Sequence, residues 1–91
     1  MKWDETKRKR NLDKHGLDFK EAGQVLKSPF RLDVEITRNN ERRTQSFAYV
    51  FDYFAVLTVV HVHDGERIIS FRRTSREERE VYHEWLENEF E

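Results

Sequence analysis

The chain has 91 residues, of which 38 % are charged and 36 % hydrophobic, and its formal net charge is −1. A domain of this size buries only about 60 % of the surface that its unfolded chain exposes, so the length fits one small domain. The chain contains no cysteine, which excludes disulfides, a thiolate nucleophile and cysteine-based metal sites. No apolar run approaches the roughly 20 residues of a membrane span, and we expect a soluble, cytoplasmic protein.

Positive and negative charges are separated along the chain. Residues 1–76 hold 16 Lys or Arg against 11 Asp or Glu, whereas residues 77–91 hold one Arg and seven Glu. The body of the chain is therefore basic and its C-terminal segment is acidic. A basic body suits contact with phosphates, which makes nucleic acid one class of partner.

Two helices are predicted before the first strand. The first spans 5–14, because Asp4 precedes it as an N-cap and Gly16 follows it as a left-handed C-terminal stop. The second spans 18–27, where apolar residues recur at helical spacing after a capping signal, and it ends before Pro29.

Four strands follow the helices. From Phe30 onward, apolar and polar residues alternate, which is typical of a strand with one wet face. The predicted strands span 30–37, 43–50, 55–63 and 67–73. The pairs Asn39-Asn40 and Asp64-Gly65 are turn signals between them. Strands joined by such short turns are expected to pair antiparallel.

A last helix is predicted after an N-cap at Thr74 or Ser75. Its apolar stripe consists of Val81, Tyr82, Trp85, Leu86 and Phe90. The complete order is ααββββα, so we predict an α+β fold with a four-stranded antiparallel sheet. We expect residues 1–91 to form a single domain, since no linker, repeat or low-complexity segment interrupts them.

Two adjacent arginines, Arg72 and Arg73, end the predicted fourth strand beside the start of the last helix. Alternation along the strand points them to opposite faces of the sheet. One interpretation is that they form surface ion pairs with Glu77 or Glu78, which are common and weak interactions. The other is an anion site, because a guanidinium binds a phosphate through two parallel hydrogen bonds.

Two histidines, His61 and His63, share one face of the predicted third strand and lie about 6 to 7 Å apart. The pair suggests a metal site, but apart from Asp64 the sequence offers no third ligand nearby. A hydrogen-bonded structural histidine is a second interpretation. A role in proton transfer is a third, because imidazole titrates near neutral pH.

Motifs of other enzyme classes are missing. The sequence has no glycine-rich phosphate loop, no His-Glu-x-x-His metal motif and no Gly-x-Ser-x-Gly nucleophile turn. We therefore expect no cofactor and no bound metal, so that any nuclease activity would be metal-independent and would persist in EDTA.

Two stretches of the chain resemble a known family. The first is Trp3-Asp4-x-x-Lys7-x-x-x-Asn11-x-x-Lys14-His15-Gly16-Leu17-Asp18-Phe19-x-Glu21-Ala22. The second is Ile68-Ile69-Ser70-Phe71-Arg72, in which Phe71 replaces the family's usual small residue. Over nearly its whole length the chain resembles the BrnT family of bacterial toxins, which have a RelE-like ribonuclease fold.

The resemblance implies a toxin of a type II toxin–antitoxin system. Such a toxin is an endoribonuclease that cleaves RNA by transesterification and inhibits translation. The residues implied for catalysis are Arg72, His61, Arg43 and Lys14. The residues implied for holding RNA are Arg73, Arg67, Lys7 and Arg10. His15, next to Lys14, is interpreted instead as a cation that interacts with the dipole at the end of the first helix.

The same resemblance implies the partners. A cognate antitoxin with a ribbon-helix-helix DNA-binding domain is expected to neutralise the toxin in a hetero-oligomer of two toxins with an antitoxin dimer. RNA is the expected substrate, DNA is contacted only through the antitoxin, and no membrane is involved.

Two other functions are compatible with the same residues. The chain would then be a non-catalytic module that binds nucleic acid or protein through its basic surface, or a structural partner without RNA contact. Salt dependence does not separate the enzyme from the binding module, because both neutralise phosphates. Cleavage of RNA by the purified protein does separate them.

Overall fold

The chain folds into a four-stranded antiparallel sheet with helices on both of its faces. The structure is a computed structural model that describes residues 1–89, so Phe90 of the predicted apolar stripe lies outside the described residues. The elements are α1 (Glu5–His15), α2 (Gly23–Leu26), β1 (Leu32–Arg38), β2 (Glu41–Val50), β3 (Ala55–Val62), β4 (Arg67–Arg73) and α3 (Arg76–Glu89). Strands follow the order β1-β2-β3-β4, which confirms the predicted α+β class. Among these residues, no helix has the length and apolar character that crossing a membrane requires.

The two faces of the sheet carry separate apolar clusters. On one face Phe71 of β4 packs with Phe19 from the N-terminal region, and we call this the α1/α2 face. On the other face Phe47 and Val56 pack against Tyr82 of α3, and we call this the α3 face. Because side chains alternate along a strand, the register assigns each strand residue to one of these faces.

The single helix predicted over 18–27 is wrong. The chain forms a 3-10 turn at Phe19–Glu21 and then the short helix α2, with the junction at Ala22. Both Ala22 and Val25 are fully buried against the sheet. Gly23, directly after the junction, lowers helix propensity by about 1 kcal/mol relative to Ala. Packing of the buried side chains therefore overrides the local helical pattern.

Both predicted hairpin turns are present. Asn39 and Asn40 connect β1 to β2 with φ angles of 52° and 61°, as a two-residue turn of the primed type requires. Between β3 and β4 the turn is longer, and His63, Asp64 and Gly65 all have positive φ. As a result β3 ends one residue earlier than predicted.

The outer edge of β4 is closed by a side chain of α1. The amide nitrogen of Asn11 donates to the carbonyl of Phe71 at 2.8 Å, and the backbone N–H of Phe71 donates to the amide oxygen of Asn11 at 3.1 Å. The same amide nitrogen donates to the carbonyl of Leu17 at 3.0 Å. Asn11 thus occupies the place of a neighbouring strand and blocks the open edge against further pairing. It also holds α1 alongside β4.

We expect Asn11→Ala to destabilise the fold by about 2 to 3 kcal/mol, because buried backbone groups of Phe71 and Leu17 lose their partners. In a domain of this size this corresponds to a fall in Tm of roughly 10 °C or more. Thermal and urea unfolding measure the effect. The matched control is Asp13→Ala, which removes an exposed side chain of the same helix and is expected to change stability by less than about 0.5 kcal/mol. Equal effects of the two substitutions would contradict this role for Asn11.

Candidate nucleic-acid interface

One face of α1 carries three cations. Lys7, Arg10 and Lys14 are exposed and recur at positions i, i+3 and i+7, so their side chains project from the same side of the helix. Asn11 lies between them in sequence and is bonded to Phe71 of β4. The three cations therefore lie along the β4 edge of the sheet.

The strand β4 adds two arginines to this edge. Arg67 lies with Lys2 and Lys7 around a surface cavity of about 340 Å³. Arg72 directly follows Phe71, the residue that Asn11 holds, and therefore lies near the C-terminal half of α1. We call this set the basic edge. It consists of Lys7, Arg10, Lys14, Arg67 and Arg72.

Arg72 forms a two-pronged ion pair with Glu78 of α3. Its Nη1 and Nη2 donate to the two carboxylate oxygens at 2.8 and 3.0 Å. Hydrogen bonds from Arg72 outweigh burial and lower the pKa of the Glu78 carboxyl to about 2. Ser75 and Glu78 also exchange the hydrogen bonds of a capping box. The predicted ion pair is present, and it fixes the guanidinium while leaving other N–H groups for a second acceptor.

Glu41 binds two of the predicted site residues at once. Its carboxylate accepts from Nε of Arg43 at 3.0 Å and from Nη2 of Arg67 at 2.8 Å. The register of β1 with β2 places Arg43 on the α3 face. Arg43 therefore adjoins the Arg67 end of the basic edge, about 16 Å along β4 from Arg72 at the usual rise per residue.

These pairs decide how much positive charge the basic edge retains. The pair of Arg72 with Glu78 is neutral, and Glu41 compensates one of the two arginines that it binds. Within residues 1–89, Lys7, Arg10 and Lys14 form no ion pair. Most of the uncompensated charge therefore comes from α1, whose exposed cations suit contact with successive phosphates.

His15 lies one helical turn after Asn11, at the end of the basic edge that Lys14 and Arg72 form. Burial lowers the pKa of its imidazole, and the positive charges of Lys14 and Arg72 lower it further. His15 lies at the end of α1, as the sequence suggested, but its lowered pKa disfavours the charged form that an interaction with the helix dipole needs. The fold instead places a neutral imidazole beside cations. The sequence did contain a signal for this position of His15, since a spacing of four residues puts it on the same face of the helix as Asn11.

His61 does not lie at the basic edge. It is fully buried, and the pairing of β2 with β3 places it on the α1/α2 face together with Val59. Arg72 lies opposite Thr58 in the register of β3 with β4, which places it on the α3 face. The resemblance implied that Arg72 and His61 act together in catalysis, which the fold does not allow, because the register puts the two side chains on opposite faces of the sheet.

His61 is the inner end of a chain of polar side chains. Nε and Nη2 of Arg31 donate to the two carboxylate oxygens of Asp33 at 2.7 and 2.9 Å. The hydroxyl of Ser46 donates to Asp33 at 2.6 Å and lies 2.7 Å from Nε2 of His61. Because the Ser46 hydroxyl donates to the carboxylate, the neutral imidazole of His61 that fits this contact has its proton on Nε2, which donates to Ser46, and none on Nδ1.

The environment of His61 favours its neutral form. Burial lowers the pKa of the imidazole, the charge of Arg31 lowers it further, and Asp33 and Asp64 offset only part of this. Its Nδ1 is buried and has no hydrogen-bond partner among the described residues. A proton added there would be a buried charge without a partner. These contacts support the structural interpretation of His61.

His63 is separated from His61 by the end of the strand. β3 ends at Val62, and His63 is exposed with a φ of 52°. The expectation that the two histidines share one face is wrong, because the chain turns between them. Among residues 1–89 there is no group of three or more His, Asp or Glu side chains arranged to hold a metal ion.

Arg73 lies on the face of the sheet opposite to Arg72. It pairs across the strands with Leu57 and is exposed at the end of β4. A hydrogen bond to Glu21 raises the pKa of Tyr53, and the charge of Arg73 opposes that shift. Arg73 therefore adjoins Tyr53 and is not part of the basic edge.

The family model described as "Ribonuclease toxin, BrnT, of type II toxin-antitoxin system" matches residues 3–78. The chain belongs to this family. No curated protein matches the chain. Membership in a type II toxin family implies an RNA substrate and an antitoxin as partners. The matched residues include the whole basic edge and end at Glu78, the carboxylate that holds Arg72.

Within this BrnT-family chain, the structure groups the predicted site residues differently from the sequence. It brings together Arg72, Lys14, Arg67, Lys7 and Arg10, and Glu41 links Arg43 to this group. Sequence reasoning missed Glu41 as the residue that joins two arginines, since ion pairs across strands depend on register. It placed His15 correctly at the end of the first helix but did not indicate that the imidazole lies near Arg72.

The protonation of His61 predicts how stability depends on pH. Its pKa in the fold lies below the value of about 6.5 in the unfolded chain, so the unfolded chain binds more protons in the interval between the two values. The contribution of His61 to the free energy of unfolding is therefore complete above pH 6.5. It is lost as the pH falls from 6.5 toward the lower pKa of the folded state. We expect the free energy of unfolding, measured with urea from pH 7.5 to 5, to fall less steeply in His61→Gln than in the wild type.

The matched control for this experiment is His63→Asn, which replaces an exposed histidine by a residue that tolerates positive φ. It is expected to keep the wild-type slope. If His61→Gln also keeps that slope, the buried network does not govern the acid sensitivity of the fold.

Proposed function

We propose that the chain is a metal-independent endoribonuclease toxin that cleaves RNA along the basic edge and thereby inhibits translation. The single observation that carries this proposal is the alignment of five cations from α1 and β4 in a member of a ribonuclease toxin family. The RNA backbone is held by Lys7, Arg10 and Arg67, with Arg43 beside them. Exposed cations of this kind bind successive phosphates without reading the sequence.

Cleavage takes place at the end of the basic edge where Arg72, Lys14 and His15 meet. The ribose 2′-oxygen attacks the neighbouring phosphorus, the bond to the 5′-oxygen breaks, and the products are a 2′,3′-cyclic phosphate and a 5′-hydroxyl. The Arg72 guanidinium stabilises the negative charge that develops on the phosphate oxygens. Its orientation is supported by the bidentate contact with Glu78.

Proton transfer is assigned to His15 and Lys14. His15 accepts the proton of the 2′-hydroxyl, since the lowered pKa of its imidazole keeps it neutral near pH 7. Lys14 donates a proton to the departing 5′-oxygen. His61 supports the sheet from the α1/α2 face and takes no part in these steps, because it is fully buried.

The proposed partner is a ribbon-helix-helix antitoxin encoded beside the toxin. Two toxin molecules bind one antitoxin dimer, and the complex contacts operator DNA through the antitoxin alone. The membership in a type II family supports an antitoxin as partner. Its ribbon-helix-helix fold and the stoichiometry follow from the resemblance to BrnT proteins.

We expect Arg72→Ala to lower the rate of RNA cleavage by about 10²- to 10³-fold, as the loss of one charge-stabilising donor does in other enzymes. Cleavage of a labelled single-stranded RNA by the purified protein measures the rate. Arg42→Ala is the matched control, because Arg42 is an exposed arginine that pairs with Glu35 on the other side of the sheet. It is expected to leave cleavage within about threefold of the wild type, as a surface change away from the site should.

Two outcomes would contradict this proposal. If the wild-type protein leaves RNA intact while Arg72→Ala weakens RNA retention, the chain is a binding module without catalysis. If Arg72→Ala and Arg42→Ala cleave equally well, the basic edge is not the site. Thermal unfolding of both variants shows whether each is folded in the assay.

The role of His15 predicts the pH dependence of cleavage. A general base must be neutral, and the pKa of His15 lies below its ordinary value of about 6.5. The rate is expected to rise with pH below 6.5 and to level off above it, in buffer that contains EDTA. His15→Gln is expected to remove this rise and to slow cleavage by about 10²- to 10⁴-fold, whereas His83→Gln, an exposed control on α3, retains the wild-type profile. A rate that collapses in EDTA, or an unchanged profile in His15→Gln, would refute the mechanism.

A further inference from the structure

Four aromatic side chains are exposed in and beside the connection between β2 and β3. Phe51 is 75 % exposed, Phe54 is 83 % exposed, Phe30 is 45 % exposed and Tyr49 is 36 % exposed. We call these four residues the aromatic patch. Three of them, Phe30, Tyr49 and Phe51, line an open groove of about 790 Å³ between α2 and the end of β2. The rings of Tyr49 and Phe51 meet edge to face at 5.1 Å.

The conformation of Phe54 is costly for the isolated fold. Its φ and ψ are 49° and 41°, in the left-handed region, which is strained for a residue other than glycine. Glycine or asparagine would relieve this strain. The side chain also gains almost no burial in return, since most of it faces solvent. Folding therefore does not explain a phenylalanine at this position, and residues held in strained conformations cluster at functional sites.

The charge around the groove argues against a polyanion as its occupant. The charged side chains of its lining are Lys20, Lys27, Glu21 and Asp52, two of each sign. The basic edge, in contrast, retains a clear excess of positive charge. A neutral groove with aromatic walls fits an apolar protein segment better than an RNA backbone, which requires neutralisation of its phosphates.

The exposed aromatic area matches a large part of a protein interface. A buried aromatic side chain covers roughly 150 to 250 Å², so the exposed fractions of the patch amount to roughly 360 to 600 Å². One partner of a stable complex contributes about 800 Å². The largest apolar patch on an ordinary monomer is about 300 to 600 Å² and is often functional. The patch therefore has the size of the apolar centre of an interface.

We propose that the aromatic patch is the docking surface for the antitoxin, which inserts an uncharged apolar segment into the groove between α2 and β2. This inference rests on the proposed function and adds to it the surface that binds the antitoxin. The antitoxin itself is expected from membership in a type II family. The anchors of the contact are Phe51, which lines the groove, and Phe54, which follows in the same connection outside the groove lining. The patch is built from the end of β2, the β2–β3 connection and the segment before β1, whereas the basic edge is built from α1 and β4. Antitoxin binding and RNA contact are therefore separable by substitution.

The test uses the full chain with the substitutions Phe51→Ser and Phe54→Asn. Asparagine tolerates the left-handed conformation, so the double variant is expected to fold with an unchanged or higher Tm. The probe is the purified protein encoded by the gene adjacent to this one, titrated by calorimetry. We expect its affinity to fall by at least about 30-fold, as for the loss of one interface hot spot. RNA cleavage by the free variant stays within about threefold of the wild type.

The matched control is Val81→Ser, which removes an exposed apolar side chain of α3 and leaves antitoxin affinity unchanged. Antitoxin affinity of the double variant within threefold of the wild type overturns the proposal. Light scattering and RNA retention identify other occupants. If the double variant loses only self-association, the patch binds a second copy of the chain. If it loses only RNA binding, the patch stacks on bases. Either result overturns the proposal.

The same measurements separate this proposal from the ribonuclease mechanism. If the wild-type chain cleaves no RNA but the double variant loses antitoxin binding, the docking surface stands and the proposed catalysis fails. If cleavage depends on Arg72 while the double variant binds antitoxin normally, the catalysis stands and the docking surface fails.

Discussion

The arrangement of this molecule depends on the amide of Asn11 lying against the backbone of Phe71. The outer edge of β4 presents N–H and C=O groups that need partners, and a single side chain from α1 supplies both a donor and an acceptor. This contact fixes the rotation of α1 about its axis. Lys7 and Lys14, which flank Asn11 on the helix, are thereby directed along the strand edge, and Arg72 follows the residue that Asn11 holds. The same contact therefore closes the edge of the sheet and positions the cations of the basic edge.

Ion pairs divide the cations of this surface into two kinds. Arg72 has a carboxylate partner in Glu78, and Glu41 links Arg67 to Arg43, so these guanidinium groups are oriented but partly neutralised. The lysines and Arg10 on α1 are exposed and keep their charge. Long-range attraction of a polyanion therefore comes mainly from the helix, whereas geometric precision at a phosphate comes from the strand. A surface that binds and also acts on a phosphodiester benefits from both kinds of cation.

Two regions away from the basic edge, the α1/α2 face and the β2–β3 connection, have different roles. On the α1/α2 face, His61 and Ser46 extend a polar chain from Asp33 into the interior. That chain makes a buried histidine compatible with the fold only in its neutral form, which couples stability to pH. At the β2–β3 connection, Phe51 and Phe54 remain outside the core, where they contribute little to folding and are available to a partner.

Local patterns in the sequence were enough to predict the α+β class, the order of the elements and the turn at Asn39-Asn40, because alternation, capping residues and turn residues act over a few positions. They also offered ion pairs of Arg72 and Arg73 with Glu77 or Glu78 as one interpretation, and the structure shows the pair of Arg72 with Glu78. They failed where distant segments meet. The break in the helix after Phe19 follows from packing against the sheet, and the separation of His61 from Arg72 follows from strand register. Side-chain direction is set by neighbouring strands, which a single stretch of sequence does not contain, so the composition of the site was decided by tertiary contacts.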